Sequence, residues 1–263
     1  PDSARLAHFR GHDLFDAMAQ LENAPGFGLR VETLVRDLEG EDALEAVLVA
    51  AYASLVSRRL LVIDASRMLG INSDQLVRQI QENPQLASLL TTDGTDVRTR
   101  HRWLALQPLV RRLGVQNAAQ ILRDAVRSVS PRLSQQSLRE RNPTALLIGA
   151  FMSQRHLNDA FPGADLDSWY TSLIDVFGSW SARYWEQRAI LARRNSRHDE
   201  TLLAKAESFA LRATELVADT YSFTTLGTVL LEKAARHPFD AQTYYERGLS
   251  AFERAAALDG TGS

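Results

Sequence analysis

The segment Val97-Arg98-Thr99-Arg100-His101-Arg102-Trp103-Leu104-Ala105 carries the densest chemistry in the chain. An imidazole among guanidinium groups is a ready anion site, because His titrates near neutrality and Arg offers forked donors to phosphate or carboxylate. Between Asp96 and Arg112 five arginines (Arg98, Arg100, Arg102, Arg111 and Arg112) stand against one acid. On a strand, Arg98, Arg100 and Arg102 point the same way and make a basic wing patch. Such a stretch has three uses: a solvated charge run, phosphate contacts that grip DNA, or recognition of a nucleotide phosphate. Whatever its use, Arg98→Ala and Arg100→Ala are expected to leave folding intact, since exposed charges change stability by only about 0.5 kcal/mol.

Other constellations are weaker. His8, His12 and Asp16 fall on one helical face. However, Arg10 and Gly11 intervene, and the H-E-x-x-H pattern of zinc enzymes is missing. Exposed or capping histidines are the preferred account, and no metal site is expected. Nothing resembles G-x-S-x-G. The paired acids Glu41/Asp42 and Asp165/Asp167 sit at helix starts, where capping and the helix dipole explain them. Of 30 basic residues only Lys205 and Lys233 are lysines, and neither lies in a G-x-x-x-x-G-K-[ST] context. The chain is expected to be no enzyme and to hold no cofactor itself.

The elements that must position these residues are mostly helical. Leu6, Phe9, Leu14, Met18 and Leu21 have helical spacing, and Pro25-Gly26 is read as a break. A helix is expected over 29–38 and a strongly apolar one over 41–57, with Gly40 between them. Leu60–Ile63 is short and partly β-branched. Asp64 can cap a short helix over 65–69 that Gly70 ends. Asn72 or Ser73 can cap the next helix, which Asn83-Pro84 closes. Asp93-Gly94 between Leu89–Thr92 and Thr95–Thr99 is a strong hairpin signal. Helix, turn, helix, hairpin is a winged-helix layout. The DNA-facing helix would then expose Gln75, Arg78, Gln79 and Glu82.

Beyond 103 the pattern is helical again. Residues 129–142 are polar, contain Pro131, and run up to Pro143, which suggests a junction. Trp169, Leu173, Phe177, Trp180 and Tyr184 form a stripe expected on one long, buried helix. Phe223, Leu226, Gly227 and Leu230, then Gly248, Phe252 and Ala255, resemble the two helices of a tetratricopeptide repeat. Trp185 and Ala189, then Ala206, Ala210 and Ala213, form an earlier unit. The expected fold is mainly α: a winged-helix unit with a small β-hairpin, followed by repeat-like helical hairpins. Its expected divisions are a helical segment 1–40, a winged-helix-like domain 41–113, connecting helices 114–164 and a helical-repeat region 165–263.

Composition bounds the partners. The 263 residues, 45% of them hydrophobic, suffice for one large or two ordinary cores. A net charge of −2 gives no global case for nucleic acid or an anionic membrane. The longest apolar stretch, Ala46–Val56, is shorter than the roughly 20 residues that a spanning helix needs. The lack of cysteine excludes disulfides and thiolate metal sites. A cytoplasmic location is expected, with no membrane partner. The chain opens on Pro1 rather than Met, so a processed or partial chain is expected.

The winged-helix unit with Arg100-His101 at its end resembles the corresponding domain of STAND-type P-loop NTPases. These signalling ATPases include plant immune receptors, apoptosome proteins and bacterial antiphage sensors. In that family a His at the end of the wing reaches the β-phosphate of bound ADP and holds the closed state. Plant members read M-H-D-L-L there, and bacterial ones often carry an R-H pair. His101 takes the family position, Arg100 matches the pair, and Arg102 stands where the family has Asp, so a role of that acid is not carried over to this chain. The resemblance spans 41–113, with 1–38 as a preceding helical domain and 165–259 as a sensor arm. It implies ADP or ATP on an upstream nucleotide-binding domain and a protein ligand on the repeats. A DNA-binding regulator with a repeat-type sensing domain and a protein–protein scaffold are the alternatives.

Overall fold

The computed structural model describes residues 25–100, 106–197 and 199–260. It is mainly helical and divides into two units, 1–114 and 115–263.

The first unit is built around one apolar helix. Helix α1 (Pro25–Asp37) begins at Pro25 and not after it. Proline lacks only an N–H that a helix start leaves unpaired, and its fixed φ suits the first position. Val31, Val35 and Leu38 are buried. Gly40, at φ +89°, precedes α2 (Glu41–Leu55), with Glu41 and Asp42 at the positive helix end. Residues 46–53 of α2 are all buried, as their uninterrupted apolar run requires.

Strand β1 (Leu60–Leu61) leads into α3 (Val62–Met68). Asp64 does not cap α3 from outside, as its type suggested. It lies within the first turn, is 1% exposed, and sits 3.8 Å from the Arg67 guanidinium. Asn72 caps α4 (Ser73–Glu82) by accepting from the Gln75 N–H at 2.7 Å. Leu76 and Ile80 face inward. Asn83 ends α4 and also opens α5 (Pro84–Leu89), accepting from the Gln85 and Leu86 N–H groups.

Strands β2 (Leu90–Thr92) and β3 (Asp96–Thr99) form the expected hairpin. The Asp93 carboxylate accepts from the Thr95 and Asp96 N–H groups, both at 2.9 Å, and Gly94 takes φ +87°. This is the side-chain-stapled turn that Asp-Gly favours. The structure adds a third strand. Leu60 and Leu61 pair antiparallel with Val97 and Asp96, so the sheet order is β1-β3-β2. Helix, strand, three helices and a hairpin returning beside the first strand make a winged-helix arrangement. Helix α6 (Leu106–Leu113) closes the unit, with Arg112 donating to the Val35 and Arg36 carbonyls at the end of α1.

The second unit is wholly helical among its described residues. Helix α7 (Val115–Val129) buries Ala118, Ala119, Leu122, Ala125, Val126 and Val129. Residues 129–142, expected as a junction, form a 3₁₀ turn (Ser130–Arg132) and α8 (Gln135–Arg139) inside this unit. Asn142 caps α9 (Pro143–Phe151), and α10 (Gln154–Ala160) follows.

The aromatic stripe does not lie on one long helix. It runs over α11 (Leu166–Thr171), α12 (Ile174–Phe177) and the start of α13 (Ala182–Asn195). The breaks have local causes. A Cβ on Gly178 would lie 2.5 Å from the Ile174 carbonyl oxygen, so the chain turns there on a glycine. Ser181 then caps α13 through the Tyr184 N–H. The stripe is nonetheless one core. Tyr184 contacts Tyr170 and Phe177 at 6.2 Å and Trp185 at 5.1 Å between ring centroids. Its polar ends are satisfied: Tyr170 donates to the Met152 carbonyl, Tyr184 to that of Tyr170, and Trp169 to that of Ala119. Burial pushes the Tyr170 phenol far above its ordinary range, so it stays neutral.

Two hairpins complete the unit: α13 with α14 (Thr201–Leu216), and α15 (Thr220–Arg236) with α16 (Ala241–Gly260). Ala189, Ala206, Ala210 and Ala213 are fully buried, so the first pair approaches over small residues. In the second pair the face of Gly227 lies against the Phe252 ring, and Gly248 lies against Leu231.

Candidate functional site

The wing end is built from β3 and the turn before it. Asp96 is 1% exposed. Its carboxylate accepts from Arg59 Nε at 3.1 Å, Arg59 Nη2 at 2.9 Å and Arg98 Nη2 at 2.8 Å. Burial alone would raise its pKa, but the hydrogen bonds from Arg59 and Arg98 outweigh that and hold it below the ordinary carboxylate range. Arg98 also lies 3.7 Å from Asp93. Backbone N–H groups of Asp96 and Thr95, with a smaller contribution from Arg98, lower the Asp93 pKa as well.

Arg100 goes elsewhere. Its backbone N–H donates to the Leu89 carbonyl, and its Nε donates to Ala87 at 2.7 Å and to Leu90 at 3.3 Å. It therefore covers carbonyls at the C-terminal end of α5, where a helix leaves acceptors unpaired and favours a cation. Arg98 turns toward the acids of the hairpin and Arg100 toward α5, so the structure does not bring these two guanidinium groups together. His101 and Arg102 lie outside the described residues, as do His8, His12 and Asp16.

This placement revises one expectation. Arg100→Ala should cost about 1 kcal/mol, the usual net worth of a lost hydrogen bond, while Arg98→Ala should cost less because Arg59 still holds Asp96. Urea unfolding of the two variants checks the order. Equal stability to wild type in both would mean that water replaces the Arg100 contacts without loss.

The exposed side of α4 carries Asp74, Gln75, Arg78, Gln81 and Glu82. Two carboxylates against one guanidinium repel a phosphate backbone rather than attract it.

In the second unit, charge is concentrated between helices. Arg188, 8% exposed, lies 4.4 Å from the centre of the Phe209 ring and 5.6 Å from that of Trp185. It also donates to Thr171 and sits 3.5 Å from Asp167. Glu207 of α14 accepts from Lys233 of α15 at 2.5 Å and Arg247 of α16 at 2.7 Å, and the Lys233 ammonium lies 4.3 Å over the Tyr244 ring. Burial opposes both charges, yet the mutual hydrogen bonds prevail: Glu207 is held low and Lys233 high. Glu186 differs, because burial raises its pKa and Arg183 only partly offsets this. This network joins three helices, and sequence spacing does not reveal its pairs. Its one signal is that Lys233 continues the buried spacing of Leu226, Val229 and Leu230.

Two open grooves flank these helices. One, of about 580 Å³, is lined by Trp185, Ala204, Glu207, Ser208, Phe209 and Arg212 among others. The other, of about 410 Å³, has Leu226 and Leu230 at its floor and Arg247 and Arg254 at its rim. Shallow clefts with an apolar floor and a charged rim suit a peptide segment better than an enclosed metabolite.

Among the described residues no group of three or more His, Asp or Glu is placed to hold a metal ion, and no helix is long and apolar enough to cross a membrane. No family model, curated protein or solved structure matches this chain.

Proposed function

We propose that this chain is the regulatory and sensor portion of a STAND-like nucleotide switch. Its winged helix senses a nucleotide held by an upstream domain, and its helical repeats bind the activating protein ligand. The observation that carries this proposal is the β1-β3-β2 winged-helix sheet, whose strand β3 ends at Thr99, next in sequence to Arg100-His101. The charges nearby favour this use over DNA binding. Arg98 is neutralised by Asp96 and Asp93, Arg100 is held on backbone carbonyls, and the outer face of α4 is mostly acidic or neutral. A DNA-binding regulator would require a steep loss of affinity with salt that these residues are poorly placed to supply.

In this proposal His101 contacts the β-phosphate of ADP only in the closed state. The ligand engages the grooves beside α14, α15 and α16 and favours the open state. Such a ligand can shift the equilibrium only by its difference in affinity for the two states. The chain itself contributes contacts and no hydrolysis. In the parent protein a cytoplasmic signalling role, including antiphage defence, fits this assembly.

The test is His101→Ala in the full-length gene product. One charge-assisted hydrogen bond is worth about 1.5–3 kcal/mol, so ADP release and basal activity should rise roughly tenfold to a hundredfold. Unchanged release and unchanged basal activity would remove His101 from the switch and overturn the proposal.

A further inference from the structure

Arg100 is held through both its backbone and its side chain. Its N–H donates to the Leu89 carbonyl at 2.8 Å, which extends the pairing of Leu90 with Thr99 by one residue. Its Nε donates to the Ala87 carbonyl at 2.7 Å and to that of Leu90 at 3.3 Å. Any residue could make the first bond, but the side-chain bonds need a long cationic donor. Helix α5 leaves its last carbonyls without partners in the helix, and a cation is favoured at that end.

The anchor is itself fixed. Helix α5 buries Leu86 and Leu89, Asn83 caps its start, and Gln85 accepts from the Glu39 N–H at 3.2 Å, just beyond α1. On the other side of residues 101–105, α6 buries Leu106, Leu109 and Val110, and its Arg112 donates to carbonyls at the end of α1. Residues 101–105 therefore join two points tied to one body. Successive Cα atoms are about 3.8 Å apart, so the backbone of His101 starts within that distance of a residue held on α5.

We propose that Arg100 is a positioning residue for His101. It clamps the end of β3 onto α5, fixes the point from which the imidazole reaches the nucleotide, and does not itself bind phosphate. This inference rests on the nucleotide-switch reading and adds to it the part that Arg100 plays. A binding group on a loosely held backbone loses freedom when its ligand arrives, so a backbone held beforehand strengthens the contact. Arg98 cannot take this part, since it turns to Asp96 and Asp93. A displacement of α5 is passed through the clamp to residue 101.

The test compares ADP release from the full-length gene product carrying Arg100→Ala, His101→Ala or both. Arg100→Ala should speed release about fivefold, the net worth of one hydrogen bond, with an unchanged circular dichroism spectrum. Arg100→Met, which keeps the apolar stem and removes the donors, should do the same and serves if the alanine variant fails to fold. Arg100→Lys keeps a cationic donor for the carbonyls and should restore most of the wild-type rate. The double variant should release ADP no faster than His101→Ala alone, because nothing is left to position once the imidazole is gone. Wild-type release from Arg100→Ala and Arg100→Met, beside fast release from His101→Ala, overturns the positioning role and leaves the switch standing. Additive effects in the double variant also overturn it, by making Arg100 a phosphate ligand or an independent support. Release unchanged by His101→Ala overturns the switch, and this inference falls with it.

Discussion

Asp96→Ala is expected to lower the stability of the first unit by about 2–4 kcal/mol. Removing one member of a buried charge network costs about 3–5 kcal/mol when the partners are left buried. Arg59 and Arg98 are about two-thirds exposed, so water rehydrates and screens them and the loss is smaller. Three charge-assisted hydrogen bonds and the junction of β1 with β3 depend on this carboxylate. Hydrogen exchange should therefore show the amides of β1 and β3 opening together. The pH dependence has a definite sign. The Asp96 pKa in the folded protein is depressed, so its contribution is fully present above the unfolded value of about 3.9 and is lost as pH falls through the lower, folded value. Wild type should lose this stability below about pH 4, while Asp96→Asn should show no matching loss in that window. Protection of β3 as strong in Asp96→Ala as in wild type would show that the carboxylate does not hold the wing.

Gly227→Val should cost about 2–3 kcal/mol in the second unit, although valine is the better helix former by a few tenths. A Cβ at 227 would lie 2.8–2.9 Å from three carbons of the Phe252 ring. No real contact is that short, so the ring must leave its groove or the helices must part, and overpacking of this kind costs about 1–3 kcal/mol. The two methyl groups of valine place the cost toward the upper end. Phe252→Ala in the Gly227→Val background should recover part of the loss, giving a coupling energy of about 1–2 kcal/mol in a double-mutant cycle. Thermal unfolding followed by circular dichroism supplies the four stabilities. Additive effects would mean that the close approach of α15 and α16 contributes nothing specific.

Local chemistry was legible along the chain. The apolar run of α2, the Asn72 cap and the Asp93-Gly94 turn each depend on residues within a few positions of one another, and each forms where its residue types direct it. The helical hairpins were legible for a similar reason, since small and large residues at fixed spacing leave only one close way to pair. Features that depend on a distant partner were not. Strand β1 is two residues long, too short to show a period, and exists because β3 lies beside it. The aromatic stripe keeps its spacing through two breaks, because periodicity records which side is buried and not whether the backbone is continuous.

The division is sharpest among the charged groups. Neighbouring residues alone reveal a basic, His-bearing segment after the hairpin and helices around Glu207 and Lys233. They do not reveal that Arg98 meets Asp96, that Arg100 covers the end of α5, or that Glu207 joins Lys233 and Arg247, which follow from the completed packing. Helices, caps and turns are governed by backbone sterics and neighbouring groups. An ion pair instead acts through space, and its partner is whichever group the completed packing brings within reach.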